Sequence, residues 1–592
     1  MSCDKLVFDL SQEIEGSPAV FVKKDWISIL DNMNQSYNSN QSVIDTSQLS
    51  NSNKYMSYRE GYLSVPLLLT IVQNNLGATT YLPQVAGTSS DLAVGLKNWF
   101  GSIIHSFTLD YNGTTIVQQT PFINMWNSFK LMTTLSWQDV ATIGSTIGFY
   151  PDDPLAWTIE TYTALGTATG SGVCNNTNIA TAGNSVASSG RFTAFKAGQG
   201  NLGFLRRQQY IQFDPDGLAG STAYSTIMSG DNSKALWKSY VSSKFDGSVS
   251  VRGVWQCSIM ATIYLKHIHS FFQQCPLLKG VFMKMTLNLN NTTTTIAREA
   301  SSSGVALQQV SSVQNAVGGV NPLLIASTLA SNGGNNIGGA SGSATTLFYD
   351  ISVGAQVLNS TVAQKASSGL GGQLSRSVQL YVPAYTFNPS FESAYLSSPV
   401  KTIKYTDVYQ YQVVSVPTGQ QFNQLLTNGI AGIKSVLILP FFVAGTSTAG
   451  GTGSDLPTGI SPYQSPFDPA GTGPTSPLCH ISNFNVVVSG QNMLYNTQRY
   501  TYEQFNNQLL GVNAVNGGLT DGLTSSLIDS LGFEMEYCYY YVDCSRMLPV
   551  EETVPKSVQI IGTNTTQRSL QFLCFIEYGC SVSIDVLTGA RV

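Results

Sequence analysis

Two histidines separated by a single residue, His267 and His269, are candidates for metal chemistry in the segment YLKHIHSFF. On a β-strand, side chains two residues apart lie on one face, where two imidazoles can share a metal ion. The flanking residues have helical spacing, which turns the two rings apart, and no acidic or cysteine partner follows at ligand spacing. We therefore expect structural roles for both histidines.

Four cysteines form two pairs with five intervening residues each, Cys538 with Cys544 and Cys574 with Cys580. Four thiolates are a ligand set for structural zinc. Cys574 and Cys580, however, fall on the apolar face of a predicted strand, where a buried thiol behaves as a small hydrophobic side chain. The pattern favours buried thiols over a zinc site.

The segment FDPDGL, with Asp214 and Asp216, resembles the start of a calcium-binding loop. An EF-hand loop requires an oxygen ligand at its fifth position and Glu at its twelfth. Those positions hold Leu218 and Ser225. The match therefore fails, and no calcium site is predicted.

Adjacent carboxylates in FYPDDP, Asp152 and Asp153, are the remaining candidate for catalysis, as a glycosidase pair. Neighbouring residues point in different directions, and nothing else in the sequence marks a sugar site. Nucleotide-binding, serine-hydrolase and zinc-protease motifs are absent from the sequence. We predict a protein that is not an enzyme, with no catalytic residue, no cofactor and no metal site.

Charged residues make up 11% of the 592 residues, whereas ordinary soluble proteins have about 25%. Amides, hydroxyls and glycine supply the polarity instead. A buried charge costs far more free energy than a hydrogen-bonded amide or hydroxyl. The composition therefore suits a surface that is covered by neighbouring subunits, and it also suits some extracellular β proteins.

The charge balance argues against a nucleic-acid-binding protein, because 29 basic and 34 acidic residues give a net charge of −5. The nine cysteines contain no CxxC pair, as expected for reduced thiols of a protein made in a cytosol or nucleus. The first residues, MSCDKLVFDLSQEIEG, lack the apolar run of a signal peptide. The longest apolar stretch, VLILPFFVAG, is too short to span a bilayer.

Alternation with a period of two residues dominates the apolar segments and predicts β-strands. From residue 570 to 586 the even positions are apolar while most odd ones are polar, which predicts a half-buried strand that is bent or divided at Gly579. Residues 63–71 and 533–541 repeat the pattern. Only PFINMWNSFKLM, YLKHIHSFFQQC and TYEQFNNQLL predict helices. The chain is predicted to be all-β with short accessory helices.

Long loops rich in Gly, Ser, Thr and Asn separate the strand clusters, at residues 166–190, 288–372 and 444–477. Loops of this length are unusual inside one compact domain. Their low charge argues against plain disordered linkers. We expect them to pack on one another or on neighbouring subunits.

Two distant segments, YNGTTIVQQTPFINMWNSFKLM and FNVVVSGQNMLYNTQRYTYEQFNNQLL, repeat one pattern. The positions with a shared offset of 377 residues are Phe107 and Phe484, Leu109 and Val486, Tyr111 and Val488, Gly113 and Gly490, and Ile116 and Met493. Each copy has a strand, a tight turn with glycine, a return strand and a short aromatic helix. The period is far longer than that of solenoid repeats, so the pattern predicts two homologous β-domains in tandem.

Several segments resemble the double jelly-roll major capsid proteins of polinton-like viruses and virophages, which are relatives of large eukaryotic DNA viruses. The matching segments are FVKKDWISILDNMN, SQLSNSNKYMSYREGYLSVPLLLTI, NWFGSIIHSFTLDYNGTTIVQQTPFINMWNSFKLM, YLKHIHSFFQQCPLLKGVFMKMTLNL, IKYTDVYQYQV and LLTNGI. The resemblance implies an all-β fold of two tandem eight-stranded jelly rolls with short accessory helices and long loops.

Domain bounds follow from combining the resemblance with the loops. We expect an N-terminal arm at 1–55 and a first roll at 56–395, with insertions near 150–250 and 288–372. The second roll is expected at 396–592, with an insertion near 444–478.

The function implied by the resemblance is that of a major capsid protein. Three chains would form a pseudo-hexameric capsomer, and capsomers would tile the icosahedral shell of a double-stranded DNA virus assembled inside a eukaryotic cell. The implied partners are further copies of the chain, penton proteins and other minor capsid proteins. The alternative is a carbohydrate-binding or adhesive surface protein built from jelly rolls.

Three aromatic residues of the first predicted helix, Phe122, Trp126 and Phe129, have spacing that places them on one face. This face can cap the open end of a β-core. It can also contact another subunit, which is the more specific of the two hypotheses.

Overall fold

The structure is a computed structural model of the chain. It describes residues 19–33, 37, 40–49, 52–74, 92–96, 98–151, 206, 209–210, 238–241, 253–290, 292–298, 307–313, 323–327, 347–354, 377–442, 481–495, 499–509, 523, 527–530, 533, 539–545, 553–566, 569–586 and 588–592.

The described part of the chain is built mainly from antiparallel β-strands. Those of the first half are β1 (Phe21–Leu30), β2 (Gln41–Asp45), β3 (Tyr55–Met56), β4 (Tyr62–Asn74), β5 (Leu92–Leu96), β6 (Ile104–Tyr111), β7 (Thr114–Val117), β8 (Gln209–Tyr210), β9 (Lys238–Val241), β10 (Gly253–Tyr264), β11 (Met283–Leu289), β12 (Thr292–Arg298), β13 (Leu307–Val313), β14 (Leu323–Ser327), β15 (Leu347–Gly354) and β16 (Gln379–Phe387). Those of the second half are β17 (Val400–Val416), β18 (Gln421–Ile430), β19 (Ile433–Phe442), β20 (Ile481–Val488), β21 (Gln491–Asn492), β22 (Tyr540–Asp543), β23 (Lys556–Asn564) and β24 (Leu570–Asp585).

Both halves have the strand order of a jelly roll. The eight strands lettered B to I in chain order are β1, β2, β4, β6, β7, β10, β11 and β16 in the first half and β17 to β24 in the second. In each half, one sheet has the order B-I-D-G and the other has the order C-H-E-F. This order is that of a two-sheet jelly roll made from Greek keys. The predicted fold class, two tandem eight-stranded jelly rolls, is confirmed.

The repeated sequence segments form the same hairpin between strands E and F in both rolls. The turn residues Asn112 and Gly113 have φ of 47° and 79°, and Ser489 and Gly490 have φ of 48° and 83°. Two successive residues with positive φ are required for the tight hairpin turn whose twist matches its flanking strands. The two segments thus occupy the same place in the strand order of the two rolls.

The first roll begins earlier in the chain than the sequence predicted. Residues 1–55 were expected to form an arm, but β1 pairs with β16 along its length and β2 pairs with β11. These two strands are strands B and C of the roll. Their own alternation of buried and exposed positions matches the faces of the two sheets, so this part of the chain belongs to the fold.

The insertion expected as a long loop at 288–372 contains strands. β12 pairs with both β13 and β15, and β15 extends the sheet along β4. The threonines at 292–295 are β-branched residues, which favour strands because their side chains pack well on a pleated surface. The first roll's B-I-D-G sheet is therefore widened at one end.

Short helices connect the strands. They are α1 (Ile123–Thr134), α2 (Trp137–Ile147), α3 (Leu265–Ile268), α4 (Phe271–Gln274), α5 (Pro389–Leu396) and α6 (Tyr502–Leu509). α1 and α6 follow strand F in the two rolls, as predicted. The helix predicted for YLKHIHSFFQQC is divided into α3 and α4, because His269 has an extended backbone with φ of −151°.

Each roll has an apolar interior between its two sheets. On β4, Leu63, Val65, Leu67 and Leu69 are fully buried, which confirms the half-buried strand predicted at residues 63–71. In the second roll, Tyr540 of strand G packs against Phe484 of strand E, with ring centroids 4.9 Å apart. The inner faces of the sheets are thus apolar in both rolls, and what covers the outer faces differs between them.

Candidate functional site

Helix α1 of the first roll covers the outer face of the second roll's B-I-D-G sheet. Leu437 of strand D pairs in register with Phe575 of strand I and with Tyr541 of strand G. All three side chains point away from the interior of the second roll, yet they are 0%, 0% and 5% exposed respectively. A sheet face that would otherwise meet water is thereby turned into an interface between the two rolls.

Two of the three predicted aromatic residues, Trp126 and Phe129, lie at this junction. The ring centroid of Trp126 is 6.1 Å from that of Phe575, and the ring of Phe129 is 5.3 Å from that of Tyr541. Phe129 is fully buried and Trp126 is 4% exposed. Phe122, at the start of the helix, packs edge-on against His105 within the first roll instead. Burial of each large apolar side chain contributes about 1.5–3 kcal/mol.

These contacts lie within one chain. The hypothesis that the three aromatic residues make contact with another subunit stays a prediction.

A salt bridge lies at the centre of the junction. Lys130 of α1 is 3.3 Å from Glu577 of β24, measured from Nζ to Oε1. Glu577 also accepts hydrogen bonds from Ser435 (2.8 Å) and Thr406 (2.9 Å), both in the second roll. The Lys130 ammonium lies 5.3 Å from the ring centroid of Trp126, so the same residue joins the apolar and the polar parts of the junction.

The pKa of Glu577 reports the balance at this salt bridge. Burial is the largest effect and alone would raise the pKa, because it disfavours the charged carboxylate. The charge of Lys130 and the hydrogen bonds from Ser435 and Thr406 together outweigh burial and hold the pKa below its usual value. Glu577 is therefore ionised at neutral pH and depends on Lys130 for compensation.

A second polar contact joins the segment between α3 and α4 to strand B of the second roll. His269 Nδ1 accepts the backbone N–H of Phe271 at 3.2 Å, so Nε2 carries the proton and faces Asp407 Oδ1 at 3.4 Å. Beside it, Ser270 Oγ donates to the carbonyl of Thr406 at 2.5 Å and accepts the Thr406 N–H at 2.9 Å. His269 therefore positions strand B of the second roll.

Hydrogen bonds to backbone carbonyls extend the junction along the first roll. Thr120 donates to the carbonyl of Val408 at 2.7 Å, and Tyr405 donates to the carbonyl of Ile116 at 2.6 Å. Tyr111, beside the E–F turn, donates to the carbonyl of Gly589 at 2.9 Å. The two rolls are thus connected at both the helix and the strand ends, and the junction holds them in one orientation.

A groove of about 1360 Å³ runs along the junction. Its walls come from both rolls and include Trp26, Tyr264, Lys130, Glu577 and Asp543. Charges of both signs line it, so it has no single-sign field of the kind that attracts a nucleic acid.

The histidine pair does not form a common site. His267 lies on α3 beside the ring of Trp99, at a centroid distance of 6.3 Å, whereas His269 faces the second roll. Burial lowers the pKa of His267 to about 4, and the neighbouring Lys266 adds to this effect. His267 is thus neutral at pH 7, and it is half-buried at the wall of the groove.

Among the predicted cysteines that the structure describes, Cys544 and Cys574 are buried and Cys580 is half-buried. Burial raises the pKa of Cys544 to about 12 and that of Cys580 to about 11, and it raises the pKa of Cys574 as well. A protonated thiol is neither a good nucleophile nor a metal ligand. Within the described residues, no group of three or more His, Cys, Asp or Glu side chains is placed to hold a metal ion.

Several predicted positions lie outside the described residues. They are Cys538, Asp152 and Asp153, Asp214 and Asp216 with Leu218 and Ser225, and the loops at 166–190 and 444–477. Among the helices that are described, none has the length and hydropathy needed to cross a bilayer.

No protein-family model matches the chain, and neither does any curated protein. Among solved structures, 98% of the chain aligns with 90% of a chain in the cryo-EM structure of the Sputnik virophage, at 11% identity and a TM-score of 0.44. The crystal structure of the mavirus major capsid protein aligns over 98% of this chain and 92% of its own, at 9% identity and a TM-score of 0.40.

The Faustovirus major capsid protein aligns over 98% of this chain and 94% of its own, at 8% identity and a TM-score of 0.38. The similar structures are capsid proteins of virophages and large DNA viruses. The fold assignment rests on the strand order within each roll, which is independent of these alignments.

Proposed function

We propose that this protein is the major capsid protein of a double-stranded DNA virus of the virophage or polinton-like kind. Three chains form a pseudo-hexameric capsomer, and capsomers tile an icosahedral shell. The role is structural, and the protein is not an enzyme. The observation that carries the proposal is the junction that holds two jelly rolls of identical strand order in one chain.

The number of similar rolls explains how a threefold assembly can resemble a hexamer. A ring of three chains with two similar rolls each presents six similar walls around a threefold axis. Such a unit packs on a hexagonal lattice although its true symmetry is only threefold. The orientation of the two rolls must then be constant, which the salt bridge between Lys130 and Glu577 and the rings beside it favour.

The surface composition supports the same proposal. Only 11% of the residues of the chain are charged, so apolar and neutral hydrogen-bonding groups are available for its contacts. Interfaces of this kind are depleted in charge at their centres. Each contact in a shell is modest, and the shell is stable because the contacts are repeated over many copies.

A closed icosahedral shell requires partner proteins in addition to the chain itself. We propose that penton and other minor capsid proteins occupy positions that a hexagonal unit does not fill. Assembly takes place inside a eukaryotic host cell.

The mass of the purified protein tests the proposal. Light scattering coupled to size-exclusion chromatography should give about three times the 63.6 kDa of one chain. A single-chain mass at every concentration would refute the capsomer. Binding to a glycan array by that single chain would favour the adhesive alternative.

A further inference from the structure

An aromatic row crosses the outer face of the first roll's B-I-D-G sheet. Tyr381 of strand I pairs in register with Ser28 of strand B and with Tyr62 of strand D, and Tyr62 pairs with Tyr264 of strand G. Tyr381 stacks on Tyr62 at a centroid distance of 5.1 Å, and Tyr264 packs edge-on against Tyr62 at a centroid distance of 5.8 Å. Trp26 adds a fourth ring, with its centroid 5.7 Å from that of Tyr62.

This row is the counterpart of the row that α1 covers in the second roll. There, the residues in register across strands B, I, D and G are Gln410, Phe575, Leu437 and Tyr541. Both rows have a polar residue on strand B, an aromatic residue on strand I and a tyrosine on strand G. Because the strand orders are identical, the two rows cross corresponding strands on the outer faces of the two rolls.

The two rows differ in what covers them. Phe575 and Leu437 are fully buried, whereas Tyr62, Tyr264 and Tyr381 are half-buried. Trp26 is 52% exposed, and Leu30, on the same face of strand B, is 56% exposed. A sheet face that meets only water normally carries polar side chains, so a continuous aromatic row indicates a covered surface.

The exposed row is continuous with the junction between the rolls. Trp26 and Tyr264 line the same groove as Lys130 and Glu577. A protein domain that packs on the aromatic row would therefore extend the interface that already joins the two rolls of the chain. The occupant of the equivalent row is the neighbouring roll of the same chain, which makes a roll of this protein the matching occupant here.

We propose that the aromatic row of Ser28, Tyr62, Tyr264 and Tyr381, together with Trp26, is the surface on which the second roll of another copy of this chain docks. This inference rests on the proposed self-assembly and specifies its contact. The contact is heterologous, since the first roll of one chain meets the second roll of the next. Repeated around a threefold axis, such a contact closes a ring.

Two variants test the docking surface without removing a buried side chain. Trp26→Ser removes an exposed ring, and Ser28→Arg places a charged wedge on an exposed strand position. Matched controls on α2, outside both the aromatic row and the second roll, are Trp137→Ser, at a tryptophan that is 60% exposed, and Ser145→Arg, at an exposed serine. We expect the docking variants to raise the dissociation constant for self-association at least tenfold, with unchanged circular dichroism, and the controls to leave it unchanged.

The outcomes separate this inference from the proposed function. Normal assembly of the wild type and of both docking variants would overturn the inference and leave the capsomer intact. Equal weakening by the controls would overturn it too. A wild type that stays a single chain would refute both.

Photo-cross-linking keeps the inference testable if a variant misfolds. A photoreactive phenylalanine in place of Trp26 should give a covalent species of about twice 63.6 kDa. The cross-linked peptide should come from residues 400–592 of the other chain. Cross-links confined to one chain, or to the first roll of another, would overturn the inference.

Discussion

We predict that Lys130 stabilises the fold chiefly by compensating the charge of the buried Glu577. Lys130→Met keeps the length of the side chain beside Trp126 but removes the charge 3.3 Å from Glu577. Loss of one partner of a fully buried ion pair destabilises a protein by about 3–5 kcal/mol. Lys130 is 31% exposed and Glu577 is 9% exposed, so solvent screening reduces the expected loss to about 2–3 kcal/mol.

The loss should depend on pH in a specific direction. In the native chain the pKa of Glu577 lies below its usual 4.5, so its ionised form stabilises the fold above that pH. That contribution is lost as the pH falls through the folded pKa. Without Lys130, burial dominates and raises the pKa, so the variant is penalised at neutral pH and relieved when Glu577 is protonated.

Urea unfolding at pH 7 and at pH 4, at one fixed protein concentration, measures this difference. The gap in the free energy of unfolding between wild type and Lys130→Met should be largest at pH 7 and should be clearly smaller at pH 4. Lys404→Met, at an exposed lysine of β17, is the matched control and should change stability by less than about 0.5 kcal/mol. A gap that is equal at both pH values, or below that of the control, would refute the reasoning.

Three further outcomes are expected from the same chain. Burial lowers the pKa of His105 to about 4, so between pH 6.5 and pH 4 this histidine is protonated in the unfolded chain but not in the folded one, and the melting temperature should fall. His105→Leu should reduce that fall, and an unchanged pH profile of the variant would contradict the reasoning. Gly113→Ala and Gly490→Ala meet no atom within 4 Å but need a positive φ, so each should cost about 1 kcal/mol in denaturant unfolding, and no loss at either turn would count against the shared hairpin geometry. Phe129→Ala should cost about 3–5 kcal/mol and Phe122→Ala clearly less, since only Phe129 is fully buried; thermal unfolding giving the reverse order would contradict the assigned packing.

The parts of the fold that depend on local chemistry could be predicted from the sequence. The Asn112-Gly113 turn has the residues that a tight hairpin with two positive φ values requires. The alternation on β4 is a direct consequence of one buried face. The same pattern in a second copy, 377 residues later, predicts two homologous β-domains in tandem, whereas the jelly-roll fold of those domains was implied by the family resemblance.

The junction between the rolls could not be predicted from alternation alone. Glu577 occupies an odd position of β24, and the alternation predicts that these positions form the polar, solvent-facing side of a strand bent or divided at Gly579. In the structure β24 is a single strand, and Leu573, Phe575 and Glu577 are buried because α1, far away in sequence, covers them. The apolar run LQFLCFI was the available signal, since strands buried on both faces lack alternation.

The sequence did not predict α2 and α5, and it did not predict the division between α3 and α4. α2 begins with a capping box in which Ser136 and Asp139 exchange hydrogen bonds, and this serine–acid spacing is readable in the sequence. The division between α3 and α4 at His269 has no such signal. It depends on Asp407 of the other roll, which faces the His269 ring and holds it at the junction.

Class averages from electron microscopy of the purified particle test the central claim most directly. The account predicts particles with a near-hexagonal outline, six lobes and threefold symmetry, in which two neighbouring lobes belong to one chain. Two-lobed particles of a single chain, or rings whose symmetry is not threefold, would contradict it.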